Sequence, residues 1–182
     1  MGMPVESLAV ACFPSELGWM AIVGQGDCLH ELTFGHATPQ SARRALHLAG
    51  ASLEPSNWRP DLARRLQAFA SGRIDEFCDV RLAEDDQTEF QQAVNRECRE
   101  IAFGRTLTYG ELAQAAGFPR AARAVGSVMA RNRTPLIVPC HRVVPSGAGP
   151  GGYSARGGTR MKLRLLEAEA LATGRAAKTS AA

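Results

Sequence analysis

The hydrophobic repeat of this chain alternates over residues 7–34 and is helical in the segments that follow, and that change restricts its architecture more than any other feature. Residues 7–34 alternate and are broken at Gly18, Gly24 and Gly26, so "SLAVACF", "GWMAIV" and "CLHELTF" read as short strands of a meander. Two helices are expected next. One covers residues 39–50, with Pro39 at its start. The other is "PDLARRLQAFASG", with Pro60 near its start, Leu62, Leu66 and Phe69 on one face, and Gly72 as its stop. "RIDEFCDVRLAEDD" reads as a connector, and beyond it the strongest apolar patterns are helical. Strands first and helices after predict an α+β chain with the two kinds of element segregated. The expected parts are a small sheet-plus-helix domain over 1–84, a mostly helical domain over 85–172 and a disordered tail over 173–182.

The second part can be read helix by helix. "DQTEFQQAVNRECREIAFG" carries Phe90, Val94, Cys98 and Ile101 at helical spacing and ends at Gly104. "TYGELAQAAG" has Thr108 as N-cap and Glu111 three residues on, a capping box, and stops at Gly117. "PRAARAVGSVMARN" then predicts a helix from Pro119 to about Asn132. Two short helices joined around one glycine form a helix-turn-helix pattern, of which an ordinary αα-hairpin is the plainer version. "TRMKLRLLEAEALA" closes the fold with an amphipathic helix.

Charge separates the plainer version from the sharper one. Residues 1–111 hold sixteen acids and ten bases, whereas residues 112–166 hold no acid and nine bases. One sign sustained over that length attracts a polyanion, and nucleic acid is the expected partner. No apolar run reaches the length of a membrane span, and the start lacks a basic signal region, so a cytoplasmic location is expected. Five cysteines without a CxxC pair argue against a disulfide framework or a four-cysteine zinc site.

The chemistry gathers in "LIVPCHRVVP", residues 136–145. A thiol attacks as a thiolate, so Cys140 needs a base or a positive field. His141 is the adjacent base and Arg142 contributes to the field. Neighbours in an extended segment point to opposite sides, so a bridging water or a tight turn at Pro139 has to connect them. The acid that orients His141 is expected on the last helix, at Glu167 or Glu169. "PSGAGPGGYSARGGTR" holds six glycines and reads as a lid or wall beside the cysteine.

"PCHRV", preceded by "RAVGSVMARNRTPLIV" and accompanied in order by "TEFQQAV", "GRTLTYGELA" and "GYS…GGTRMKLRLLEAE", resembles the O6-alkylguanine-DNA alkyltransferase family, the methylated-DNA–protein-cysteine methyltransferases. The resemblance is close from Phe90 to Glu169 and looser over "ELGWMAIVGQGDCLHELTFG" and "LQAFASGRIDEF". It implies single-turnover repair: a minor-groove helix-turn-helix, a base flipped from the duplex, and an alkyl group moved in line to Cys140 for good. It implies His141 and Glu169 as the relay to the thiol. It also implies Tyr109 as the residue that crowds the phosphate and protonates the departing guanine O6, and Asn132 as the tie between recognition helix and active segment. Arg123 matches the arginine that fills the hole left by the base. With it, Tyr109, Arg120, Ala122, Gly126, Ser127 and Arg142 form the implied DNA contacts. Pro139, Val143, Tyr153, Ser154 and Lys162 form the implied base pocket. The implied partner is double-stranded DNA carrying O6-alkylguanine or O4-alkylthymine, met by a monomer that needs no cofactor, no metal and no membrane.

This chain departs from the pattern at "YSARGG", where Ala155 and Arg156 lengthen the expected "YSGG". Counting from Tyr153 places the relay acid at Glu167; counting from Gly157-Gly158 places it at Glu169, which is preferred because loops accept insertions more readily than helices. Asn95 stands where a tryptophan is expected. Two other functions compete: a Cys-His hydrolase, for which no oxyanion hole is legible, and a non-catalytic module that binds alkylated DNA, which Cys140 argues against.

Overall fold

The computed structural model describes residues 8–47, 53–83, 87–147 and 149–174, with the backbone alone at 53–55. The expected tail from residue 175 onward lies outside the described residues, as do positions 48–50 of the first expected helix. The described chain falls into two compact units. One takes the residues up to 71 together with 79–83; the other takes 72–78 and everything from 87 on.

In the first unit the strands are β1 (Leu8–Phe13), β2 (Trp19–Gln25), β3 (Cys28–His36), β4 (Leu53–Pro55) and β5 (Arg81–Leu82), in sheet order β4-β1-β2-β3-β5. The first three form the expected antiparallel meander, while β4 and β5 add in parallel to β1 and β3. Met20, Ala21, Ile22 and Val23 of β2 are all buried, so this central strand is covered on both faces. Gly24 is fixed by space: a Cβ there would run into the Cys28 carbonyl and the Trp58 ring.

Two helices accompany the sheet. Helix α1 (Pro39–Arg44) is capped by Thr38 and Ser41 and ends earlier than its sequence suggested. The buried carboxylate of Glu31 is the reason: it accepts from the His47 amide at 2.9 Å and meets the His47 ring Nδ1 at 2.7 Å. That draws residue 47 out of the helical path. Helix α2 (Pro60–Ala70) buries Leu62, Leu66 and Phe69 as its spacing predicted.

The second unit is mostly helical. Helix α3 (Glu89–Arg99) is capped by Thr88 with Gln91 and buries Ala93, Val94 and Cys98. Helix α4 (Tyr109–Ala115) has the expected capping box of Thr108 and Glu111. It closes with Phe118 N on the Ala113 carbonyl at 2.8 Å and Gly117 N on the Gln114 carbonyl at 3.0 Å. These two bonds define a Schellman stop, which needs Gly117 at its φ of 86°. Helix α5 (Ala122–Ala130) begins three residues later than expected. Pro119 occupies a turn closed by Ala121 N on the Phe118 carbonyl at 2.9 Å, a position that suits its fixed φ as well as a helix start does. A two-stranded parallel ribbon of β6 (Leu107–Thr108) and β7 (Val143–Val144) and the final helix α6 (Gly158–Ala172) complete the unit.

Candidate active site

Cys140 stands at the end of a run of tight turns rather than in the extended segment that "LIVPC" suggested. The Thr134 carbonyl accepts from Val138 N at 2.9 Å, and the Val138 carbonyl accepts from Cys140 N at 2.8 Å. Pro139, at φ −78° and ψ 62°, makes the latter an inverse γ-turn. Cys140–Arg142 then forms one 3-10 turn. Asn132 explains why no strand forms. Its Nδ2 donates to the Val138 carbonyl at 2.8 Å and its Oδ1 accepts from Thr134 N at 3.0 Å. A side chain that engages both backbone groups removes them from a sheet ladder. Leu136 pays for the path with a φ of 76°. That conformation costs about 1–3 kcal/mol, which the full burial of Leu136, Ile137 and Val138 is large enough to offset.

The thiol is buried and tuned from several sides. Burial pushes the Cys140 pKa up; the Asn132 hydrogen bond and the Lys162 charge pull it back without cancelling the rise. Asn132 Nδ2 lies 3.1 Å from Sγ. Lys162, itself fully buried, donates from Nζ to the Val143 carbonyl at 2.6 Å and the Gly152 carbonyl at 3.3 Å. It thereby fastens β7 to the glycine loop. The resting sulfur is therefore a protonated thiol that needs a base.

His141 has the state of such a base. Its Nε2 meets Glu169 Oε1 at 2.8 Å, and both residues are buried. Burial lowers the His141 pKa, and Arg142 and Lys162 lower it further, against the opposing pull of Glu169. The imidazole is neutral near pH 7. With the Glu169 carboxylate accepting from Nε2–H, the lone pair is assigned to Nδ1. Nδ1 is buried and has no hydrogen-bond partner among the described residues.

Glu169 is held as an anion. Burial alone would raise its pKa, but His141 and Arg142 together bring it below the ordinary value. It accepts from the Gly104 amide at 2.8 Å and from Arg142 Nε and Nη2 at 3.1 and 3.0 Å. Gly104 is constrained: its φ is 73°, and a Cβ would stand 2.9 Å from Thr173. Glu167 is exposed, so the count from the paired glycines gives the acid that faces His141.

Arg142 corrects an expectation. The sequence resemblance puts it among the DNA contacts, yet its side chain is only 2% exposed. Its Nη1 donates to Glu76 Oε2 at 2.9 Å and the Ile101 carbonyl at 2.6 Å, and the guanidinium lies 5.4 Å from the Phe103 ring centroid. Sequence shows an arginine's charge but not its burial; here two carboxylates and a carbonyl consume its donors. Glu76 was missed altogether. It came from the supposed connector, and its Oε1 also accepts from Phe103 N at 2.7 Å. No local pattern marks an acid whose partner is 66 residues away.

Tyr109 is delivered by the β6–β7 ribbon, in which Thr108 pairs with Val144. Its ring lies 3.9 Å from where a Gly126 Cβ would be, which brings α4 against α5. Burial raises its pKa, and a Cys140 thiolate raises it further, so the hydroxyl keeps its proton. The Tyr153 hydroxyl is likewise buried, and burial holds its pKa well above the ordinary value.

Known proteins resemble this chain in sequence and fold. Residues 89–171 match the family model of the 6-O-methylguanine DNA methyltransferase DNA-binding domain. The methylated-DNA–protein-cysteine methyltransferase of Methanosarcina acetivorans is 34% identical over 159 residues, which is 87% of this chain and 96% of that protein. The chain belongs to this methyltransferase family. The structure of Mycobacterium tuberculosis OGT in complex with DNA superposes with a TM-score of 0.75 at 32% identity, covering 90% of this chain and 94% of that one. The O6-methylguanine-DNA methyltransferase of Pyrococcus kodakaraensis gives 0.67 at 28% identity, covering 89% and 98%.

Within the methyltransferase, Asn132 contacts the Cys140 sulfur, the Lys162 charge acts on it, and His141, Glu169 and Arg142 form a buried ion cluster that begins at the next residue. Pro139 and Val143 are buried on either side of the 3-10 turn. Arg120, Arg123 and Ser127 are exposed, with Ala122 and Gly126 half-buried between them, so these five remain a surface group around α5. Ser154 is exposed. No helix of the described residues is long and apolar enough to cross a membrane.

Proposed function

We propose that this methyltransferase binds duplex DNA through α4 and α5, receives a flipped O6-alkylguanine, and moves the alkyl group to Cys140. Chemistry on a base requires its removal from the stack, and exposed Arg123 on α5 fills the space it leaves. The S–H proton of Cys140 passes to His141 Nδ1, bridged by a water. The thiolate attacks the alkyl carbon in line; the S–C bond forms as the C–O6 bond breaks. Guanine leaves with the bonding electrons and takes a proton from the Tyr109 hydroxyl, and the proton held by His141 returns through water to the tyrosinate. Lys162 and the Asn132 amide stabilise the thiolate as it forms. The thioether has no base to expel it, so each chain acts once. The protein works in the cytoplasm as a monomer, on O6-alkylguanine or O4-alkylthymine.

The observation that carries this reading is the buried His141–Glu169 pair, next in sequence to the buried Cys140 thiol, with His141 Nδ1 left without a hydrogen-bond partner among the described residues. Cys140→Ala tests it: the variant should bind a duplex containing O6-methylguanine and leave the lesion intact. Removal of the methyl group by that variant would defeat the reading.

A further inference from the structure

Arg156 and Arg160 are exposed, lie four residues apart at the start of α6, and make no ion pair or side-chain hydrogen bond among the described residues. Arg156 belongs to the lengthened "YSARGG" loop. The first turn of α6 holds no acid, and none occurs anywhere in residues 112–166. Arg156 precedes α6 and Arg160 lies in its first turn, and no acid in residues 112–166 neutralises either.

Their position relative to α5 follows from a short series of contacts. The Tyr109 ring lies against Gly126 of α5. The Tyr109 hydroxyl stands 3.7 Å from where a Gly151 Cβ would be. Thr159 Oγ1, in the first turn of α6, donates to the Gly151 carbonyl at 3.4 Å. The glycine loop and the first turn of α6, which carry Arg156 and Arg160, are therefore linked through Gly151 to Tyr109 and, through its ring, to Gly126 of α5.

We propose that Arg156 and Arg160 form a second phosphate-binding patch that extends the DNA footprint past the helix-turn-helix. The occupant is the sugar-phosphate backbone next to the flipped nucleotide. Guanidinium groups hold phosphates through bidentate, charge-assisted hydrogen bonds, and solvent-exposed arginines without protein partners are free to do so. Two-residue lengthening of the loop supplies one of the two cations, so the patch is a property of this chain's longer loop. The proposal rests on the DNA-binding reading above.

Salt dependence of binding measures it. Each phosphate neutralised on duplex DNA contributes about 0.9 to the slope of log K against log salt. The full chain is titrated against an undamaged duplex at several salt concentrations. With Arg156→Gln and Arg160→Gln together, the slope should fall by roughly 1.8. With Arg156→Lys and Arg160→Lys it should stay near the parent value. An unchanged slope in the glutamine pair overturns the proposal. Equal losses in the glutamine and lysine pairs also overturn it, because shape and not charge would then be responsible. The parent titration separates the two readings: no salt-dependent binding by the parent defeats the DNA-binding reading, whereas parent binding with an unchanged slope in the glutamine pair defeats this proposal alone.

Discussion

Asn132 reaches Cys140 with the same amide nitrogen that holds the turn: Nδ2 donates to the Val138 carbonyl at 2.8 Å and lies 3.1 Å from the Cys140 sulfur. A group that donates to a forming thiolate lowers the thiol's pKa. Replacing it with Asn132→Ala removes a charge-assisted bond of about 1.5–3 kcal/mol. Transfer should slow by roughly 10- to 100-fold near neutrality. Because the thiol pKa rises, the rate should keep climbing at pH values where the parent has levelled off. A rate profile of unchanged shape would show that Asn132 acts on the turn alone.

Glu169 serves the imidazole and the buried Arg142 together. Glu169→Gln keeps the shape but strips the anion from both. Breaking a buried pair from one side costs about 3–5 kcal/mol, so urea denaturation should show a large loss of stability. The tautomer of His141 is no longer imposed, and transfer should drop at least ~10-fold, in line with changes to groups that orient a functional histidine. Parent-like stability would contradict the described cluster.

Acidification should act through His141. Its folded pKa lies below the ordinary 6.5, chiefly through burial. The unfolded chain thus takes up a proton first as pH falls. The stability that neutral His141 contributes is present above about pH 6.5 and is lost as pH drops from there through the folded value. Glu169, whose folded pKa is also depressed, has the same sign with an onset near its ordinary 4.5. Transfer should hold steady from pH 7 to 8 and decline only below 6.5. A kinetic inflection between pH 7 and 8 would contradict a neutral imidazole.

Glu76 ties residues 72–78 to the ion cluster through Arg142 and Phe103. Its side chain is partly exposed, so Glu76→Gln should cost only about 1 kcal/mol. The melting temperature should fall by a few degrees while transfer at neutral pH changes less than in Glu169→Gln. A loss equal to that of Glu169→Gln would mean that Arg142 depends on Glu76 as much as on its buried partner.

What the sequence disclosed follows the range of the interactions involved. Thr108 with Glu111 and Gly117 are read correctly because caps and stops act within one turn. Leu62, Leu66 and Phe69 are read correctly because helical spacing sorts a face. Pro119 misleads because a turn and a helix start ask the same φ of it. His47 ends α1 early through Glu31, sixteen residues back, and no local pattern carries that pull. The turns at "LIVPC" are hidden because β-branched residues favour strands until the Asn132 side chain takes their backbone partners. Arg142 shows the same limit from the other side: its charge is written in the chain, and its burial depends on Glu76, Ile101 and Glu169.

The most direct measurement is peptide mass spectrometry after incubation with a duplex carrying one O6-methylguanine. The account predicts one added methyl group per chain, on the peptide that contains Cys140, with no further gain in excess DNA. Methyl groups on another residue, or repeated turnover with Cys140 unmodified, would contradict it.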